Sequence, residues 1–309
     1  MFENINLLKK EILNSQKIVL INHIKMDDAF SLALYLILEK LGKNVKAIND
    51  FIEPESFNFL LNKKIFEPDL DLNEFNPDLI ISLDSASTQL GETYKKFENI
   101  FKQKNFVVID HHQTNPFKLN FIYPEFSSTC ELLFLILKEL DFENFIDKQI
   151  ATLLITIETD TNIFYNQNVT STTFSVASEL VDLADFRTPN YNFYQKIEFK
   201  RLKLFKAINN LKQTKNLAYS FLSKKDFEDC ECTIEDTSGI INKLSNIDEN
   251  EAVCMIYENE NVKVSFRSKN FDVSFCESFP GGHKYAAFNL EKNIYEAEKI
   301  ILERFEKFF

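Results

Sequence analysis

The chain has 309 residues, enough for two domains of ordinary size, with 45% hydrophobic residues, 27% charged residues and a formal net charge of −12. That acidity repels long nucleic-acid polyanions and argues against a duplex-binding groove, while leaving room for a small phosphorylated ligand at a local positive site. Five cysteines with no C-x-x-C pair argue against a disulfide framework or a zinc ribbon, and with no signal-like start and no apolar run of about 18 residues the expectation is a cytoplasmic protein away from the membrane.

In chain order, residues 4–15 read as an amphipathic helix and KIVLIN (17–22) as a short buried strand. Residues 28–43 are helical with Gly42 as the stop, and a second strand follows at 44–50. DLIISLD (78–84) and NFVVID (105–110) are further strands, while residues 130–140, 147–160 and 172–183 are helices. Strands alternating with helices predict an α/β fold whose N-terminal domain is a mostly parallel sheet with flanking helices. Beyond about residue 185 the texture changes: residues 190–215 read as one long polar-faced helix. The alternating segments NLAYSFL, EAVCMIYENENVKVSFRSK and FDVSF then precede a helix at 293–308. The expected organisation is a first domain over 1–186, a linker helix over 187–214 and a smaller C-terminal α/β domain over 215–309.

Chemistry-bearing residues gather where those strands end. VLINHIKMDD brings His23, Asp27 and Asp28; IISLDS brings Asp84; VVIDHH brings Asp110, His111 and His112; ETDTN adds Asp160 at a helix end. In open α/β sheets the carboxyl ends of strands face the ligand crevice. Each residue alone has an ordinary reading, since a strand-end Asp caps the next helix and a lone His is a hydrogen-bonded core residue. Together they weigh differently: all four His of the chain fall at strand ends or in a Gly turn. Carboxylates with imidazoles and no thiolate suit a pair of Mn²⁺ or Mg²⁺ ions better than structural zinc. Two such ions about 3.5–4 Å apart clamp the attacking and leaving oxygens of phosphoryl transfer.

The fourth His lies in SFPGGHKYAAF, where Gly281 and Gly282, the only Gly pair, precede His283. Adjacent glycines let backbone N–H groups approach an anion. Upstream, VKVSFRSK presents Arg267 on a strand, and a guanidinium forks phosphate in bidentate fashion. A hairpin turn and a surface salt bridge are the plainer alternatives for these two elements.

These residues resemble the DHH phosphoesterase superfamily. DHH follows an apolar strand, with Asn115 three residues beyond the second His; SSTCE (127–131) resembles the family's Ser-Ser-Thr-x-Glu segment, and LLITIETDTNIF (153–164) its fourth motif. FRSK and GGHKYAA resemble the DHH-associated C-terminal domain, and the combination resembles the nanoRNase/pAp-phosphatase branch over nearly the whole chain. The resemblance implies that His23 and Asp27 hold one metal, Asp84 bridges two, and His111 and Asp160 hold the second. It implies that His112 orients or protonates near the scissile phosphate and that Asp110 supports the histidine pair. Arg267, Gly281, Gly282 and His283 would grip the substrate's phosphate or base, with Asn115 also on the substrate side.

Two departures stand out. The family's first motif is His-x-x-x-Asp-x-Asp, but here Asp27 and Asp28 are adjacent and Ala29 occupies the second Asp position, so either Asp28 serves as ligand or that ligand is missing. In the C-terminal motif, Pro280 and Phe288 stand where the family often has Gly, and Asn162 replaces a common Gly in the fourth motif. The expected activity is two-metal hydrolysis, with Mn²⁺ preferred over Mg²⁺, of short oligonucleotides, of 3′-phosphoadenosine 5′-phosphate, or of both. Duplex nucleic acid and membranes are not expected partners; a homodimer is compatible. The alternatives are a phosphodiesterase for dinucleotide second messengers, a single-strand exonuclease, an inorganic pyrophosphatase and a catalytically impaired nucleotide sensor.

Overall fold

The computed structural model describes residues 2–22, 29–49, 60–61, 64–85, 91–112, 119–192, 199–237, 239–245, 250–258, 261–269 and 285–306. The chain divides into two compact units, Met1–Lys196 and Ile197–Phe309.

The first unit is built on a five-stranded sheet of β1 (Lys17–Asn22), β2 (Asn44–Ile48), β3 (Leu79–Leu83), β4 (Asn105–Asp110) and β5 (Leu119–Ile122), in the order β2-β1-β3-β4-β5. Every pairing in it is parallel. Such sheets are buried on both faces, which is why the strands read as unbroken apolar runs. Alternate residues feed two cores. Ile18, Leu20, Leu79, Ile81, Val107 and Ile109 face one cluster, and Val19, Ile21, Ile80 and Val108 face the other.

The larger core is covered by α1 (Ile5–Asn14), α2 (Phe30–Lys40), α5 (Thr129–Glu139), α6 (Lys148–Leu154) and α8 (Ser171–Val181). The smaller one is covered by α3 (Leu72–Phe75) and α4 (Gly91–Gln103), through Leu72, Phe97 and Phe101. Two short helices, α7 (Ile157–Asp160) and α9 (Arg187–Asn190), complete the unit. β2 lies on one side of β1 and β3 on the other, so the sheet has its topological switch between β1 and β3, the place at which open α/β sheets bind ligands beyond the carboxyl ends of their strands.

The second unit holds α10 (Phe199–Leu204), α11 (Lys206–Asn209), β6 (Lys212–Gln213), β7 (Leu217–Leu222), α12 (Lys224–Cys230), α13 (Ile240–Leu244), β8 (Ala252–Glu258), β9 (Val262–Ser268), β10 (Tyr285–Leu290) and α14 (Ile294–Glu306). Its sheet runs β10-β9-β8-β7-β6, with β7 and β8 parallel and the other pairs antiparallel. Ile294, Ala297, Ile301 and Phe305 of α14 pack on one face; Cys230, Ile240, Ile241 and Leu244 lie in the core of the other. No helix among the described residues is long and apolar enough to cross a membrane.

The α/β class and the parallel sheet agree with the sequence reading, but two local expectations differ. The single helix over 147–160 is two, because the buried Thr156 hydroxyl donates to Leu153 O at 2.6 Å and accepts from Ala29 N at 2.9 Å, breaking the ladder. The long helix over 190–215 is instead short pieces among the described residues. Leu204 and Ala207 enter the second core, and Lys212 and Gln213 pair with β7. Strands β5 and β10 and helices α3, α4, α12 and α13 are among the additions to the elements read from the sequence. FDVSF lies outside the described residues.

Candidate metal centre

Asp84 follows β3 in a left-handed conformation, φ 55°, which Asp tolerates better than most residues. Its amide donates to Ile109 O at 2.9 Å, which ties the carboxyl end of β3 to β4. The Asp84 side chain is thereby turned to the DHH segment: Oδ1 lies 3.5 Å from His111 Nε2 and 3.3 Å from His112 Nδ1. It also accepts a 2.7 Å hydrogen bond from Thr129 Oγ1. Burial alone would raise the Asp84 carboxyl. The hydrogen bond and charge of His112, the Thr129 hydroxyl and His111 outweigh it and hold the group below the usual carboxylate range.

The two histidines differ in environment. His111 Nδ1 lies 3.3 Å from Phe126 O, while Nε2 lies 3.5 Å from Asp84 and 3.7 Å from Asp160 Oδ2. Burial pushes its pKa down, overcoming the pull of Asp84. With Nδ1 as donor to a carbonyl, the neutral ring turns its Nε2 lone pair toward two carboxylates at distances too long for ordinary hydrogen bonds. His112 is held by Asp110, whose Oδ1 accepts from the His112 amide at 2.8 Å and lies 3.0 Å from its Nδ1. Hydrogen bonds to Asp110 and Asp84 push His112 up to about 10 against the opposing effect of burial. Asp110 is fully buried, and its Oδ2 has no hydrogen-bond partner among the described residues.

Asp160 ends α7, and its carbonyl accepts from Asn166 Nδ2 at 2.9 Å. Donor atoms of Asp84, His111 and His112 all lie within 4.8 Å of one another, a grouping that could hold a metal ion. The chemistry of the donor set fits a divalent cation. A neutral imidazole lone pair facing two carboxylates is repulsive without one, and each of these groups is a ligand for Mn²⁺ or Mg²⁺.

The structure therefore brings together Asp84, Asp110, His111, His112 and Asp160. His23, Asp27, Asp28, Asn115, Gly281, Gly282 and His283 lie outside the described residues. Arg267 sits on β9 of the second unit, where Nη1 donates to Phe266 O at 2.8 Å and Nε to Asn242 Oδ1 at 3.3 Å.

Sequence reasoning gave no individual role to the residues of SSTCE, and the structure supplies them. Ser128 caps α5 by accepting from Glu131 N at 3.1 Å. Thr129 donates to Asp84. The buried Glu131 Oε2 accepts from Ser127 N at 2.9 Å and Thr173 Oγ1 at 3.0 Å, and also from Ser127 Oγ. The signal was available: a run of polar residues directly ahead of an apolar helix must be buried with its own partners.

Comparison with known proteins agrees with this geometry. The chain aligns with the crystal structure of an exopolyphosphatase-related protein from Bacteroides fragilis over 99% of its own length and 96% of that protein's, at 25% identity and a TM-score of 0.88. It aligns with exonuclease RecJ bound to manganese over 99% of its own length and 94% of that chain, at 14% identity and a TM-score of 0.56. RecJ from Thermus thermophilus in complex with Mn²⁺ aligns over 99% of this chain and 54% of that one, at 13% identity and a TM-score of 0.53. The two RecJ likenesses speak for the fold alone. A search of curated proteins found no match. Residues 17–157, which carry Asp84, Asp110, His111 and His112, match the DHH family, N-terminal domain.

Proposed function

We propose that the protein is a metal-dependent phosphoesterase that hydrolyses short oligonucleotides, 3′-phosphoadenosine 5′-phosphate, or both, in the manner of the nanoRNase/pAp-phosphatase branch. The observation that carries this reading is His111 Nε2 facing Asp84 at 3.5 Å and Asp160 at 3.7 Å, beside His112. Asp84, His111 and Asp160, with His23 and Asp27 or Asp28, would hold two divalent cations, Mn²⁺ by preference. Bound there, such ions lower the pKa of water and neutralise charge on phosphate oxygens.

The chain's own residues do the rest. Thr129 fixes the rotamer of Asp84. Asp110 takes the Nδ1 side of His112, which leaves the other ring nitrogen of this half-exposed residue to donate to the scissile phosphate or the leaving oxygen. Arg267, Gly281, Gly282, His283 and Asn115 would bind the substrate's phosphate or base. The acidic chain favours small substrates over long polyanions, and a cytoplasmic location suits them.

The test is metal content of the purified protein, followed by a Mn²⁺-dependent assay on 3′-phosphoadenosine 5′-phosphate, dinucleotides, longer oligonucleotides, pyrophosphate and polyphosphate. The last belongs in the panel because of the exopolyphosphatase-related likeness. Two ions per chain and release of mononucleotide or phosphate from the short substrates are expected. Tight nucleotide binding without turnover or bound metal would replace the enzyme with a sensor.

A further inference from the structure

The turn that follows Asp160 has an unusual backbone. Asn162, Ile163 and Phe164 have φ of 49°, 56° and 60°, consecutive left-handed residues with no glycine among them. Asn accepts this region, but a β-branched Ile there is a steric outlier. The turn is nonetheless firmly tied. Thr161 Oγ1 donates to Ile157 O at 2.9 Å and accepts from Phe164 N at 3.1 Å. The amides of Tyr165 and Asn166 both donate to Thr161 O at 2.9 Å, and Asn166 Nδ2 donates to Asp160 O. The turn is thus rooted on the residue whose carboxylate faces His111.

What this strained turn displays is apolar. Tyr165 is 76% exposed, Phe174 on the first turn of α8 is 56% exposed and Ile163 is 41% exposed. Phe164 holds Phe174 from behind, with ring centroids 5.6 Å apart and planes inclined by 31°, and itself packs against the main core. The start of α8 is locked by a reciprocal Thr170–Thr173 cap. Single exposed apolar side chains need no explanation. Here Ile163 stands on strained backbone, Tyr165 follows in the same turn, whose Asn166 is tied to Asp160 O, and Phe174 packs on Phe164 of that turn, a grouping that does call for one. An inorganic phosphate chain has nothing for such a surface to hold. A nucleobase has a flat face, and stacking on aromatic rings binds it without selecting its identity.

We propose that Tyr165 and Phe174, with Phe164 as their support, form a stacking platform for a nucleobase of the substrate. This rests on the phosphoesterase reading above and deepens it by naming the residues that would hold the base of a nucleotide substrate. The test uses the full chain with Mn²⁺ and compares kcat/KM for a 5′-phosphorylated adenine dinucleotide with that for its abasic counterpart. Calorimetry on the metal-free protein gives Kd for the same pair. Wild type should prefer the dinucleotide in both measurements. Tyr165→Ala and Phe174→Ala should each cut that preference by about ten-fold, in kcat/KM and in Kd alike. Tyr165→Phe should restore it. Tyr295→Ala, at a residue 74% exposed in the second unit, should keep it. If the alanine variants, single and combined, retain the wild-type preference while cleaving the dinucleotide, the platform is wrong and the phosphoesterase reading stands. If wild type cleaves neither compound, that reading fails, and the calorimetric ratio alone judges the platform: a loss in the variants supports it, and no change overturns it.

Discussion

Thr129→Val deletes one hydroxyl and keeps the side-chain shape. In the wild type that hydroxyl donates to Asp84 Oδ1 at 2.7 Å, with Thr129 fully buried and Asp84 only 9% exposed. A hydrogen bond to a charged acceptor contributes about 1.5–3 kcal/mol, and the lower end applies because water can reach the exposed edge of Asp84. About 1.5 kcal/mol corresponds to roughly ten-fold in an equilibrium constant. The loss falls on the ionised carboxylate, so the Asp84 carboxyl should rise toward its ordinary value, leaving the two histidines as its remaining favourable neighbours. Urea unfolding of the metal-free variant should therefore show a loss of about 1.5 kcal/mol. Calorimetric titration should show Mn²⁺ binding weakened about ten-fold or more, as for other partners that orient metal ligands. Thr129→Ser should behave as wild type. A valine variant with an unshifted urea midpoint and unaltered Mn²⁺ affinity would refute the positioning role of Thr129.

Three further outcomes are expected. His111→Ala should lose most hydrolytic activity even in excess Mn²⁺, measured on the short-nucleotide panel; turnover like that of wild type would remove His111 from the centre. In the metal-free protein His112, raised to about 10 from 6.5, should remain protonated at neutral pH. Its folded pKa exceeds its unfolded one, so its stabilisation is complete below about pH 6.5 and disappears as pH rises through about 10. Imidazole NMR titration checks this, and a midpoint near 6.5 would contradict the Asp110 and Asp84 contacts. Glu131→Ala strands the Ser127 amide and hydroxyl in a buried site and takes one partner from the Thr173 hydroxyl, which keeps its contacts with Thr170. It should destabilise by at least about 3 kcal/mol in thermal or urea unfolding; a loss below about 1 kcal/mol would mean that solvent rescues those donors.

The parts of this protein legible in its sequence are those fixed by local pattern. Apolar runs such as KIVLIN and NFVVID become β1 and β4 because both faces of a parallel strand are buried. Placement of Asp84, Asp110, His111 and His112 at the strand ends then follows from β-strand geometry, and their convergence follows from the pairing of β3 with β4. What escaped the sequence depends on tertiary partners. β5 is only Leu119–Ile122, too short and too mixed to announce itself without β4 beside it. The break at Thr156 requires Ala29, 127 positions away, to claim its hydroxyl. The proximity of His112 to Asp84, which adds it to the donor set, depends on Asp84 adopting a left-handed backbone that nothing in IISLDS demands.

The centre makes little sense as a stabilising feature of the fold. Asp110 is buried with one carboxylate oxygen unpartnered among the described residues, and Asp84 is almost buried beside it. Desolvating carboxylates is expensive unless a countercharge repays the loss. Among the described residues of the cluster, the countercharge is His112, whose ring serves Asp110 and Asp84 together. Asp160 and the lone pair of His111 face each other across 3.7 Å. The backbone is no more comfortable, with left-handed residues at Asp84 and again at 162–164. Strain and unbalanced charge persist in a fold only where the surroundings over-determine them, and here the surroundings are two well-packed cores and the buried Ser127–Glu131–Thr173 network. A divalent cation would relieve the charge imbalance in one step. The same cation should therefore raise the unfolding temperature of the wild type more than that of Thr129→Val, because the variant has already lost part of the order that binding exploits.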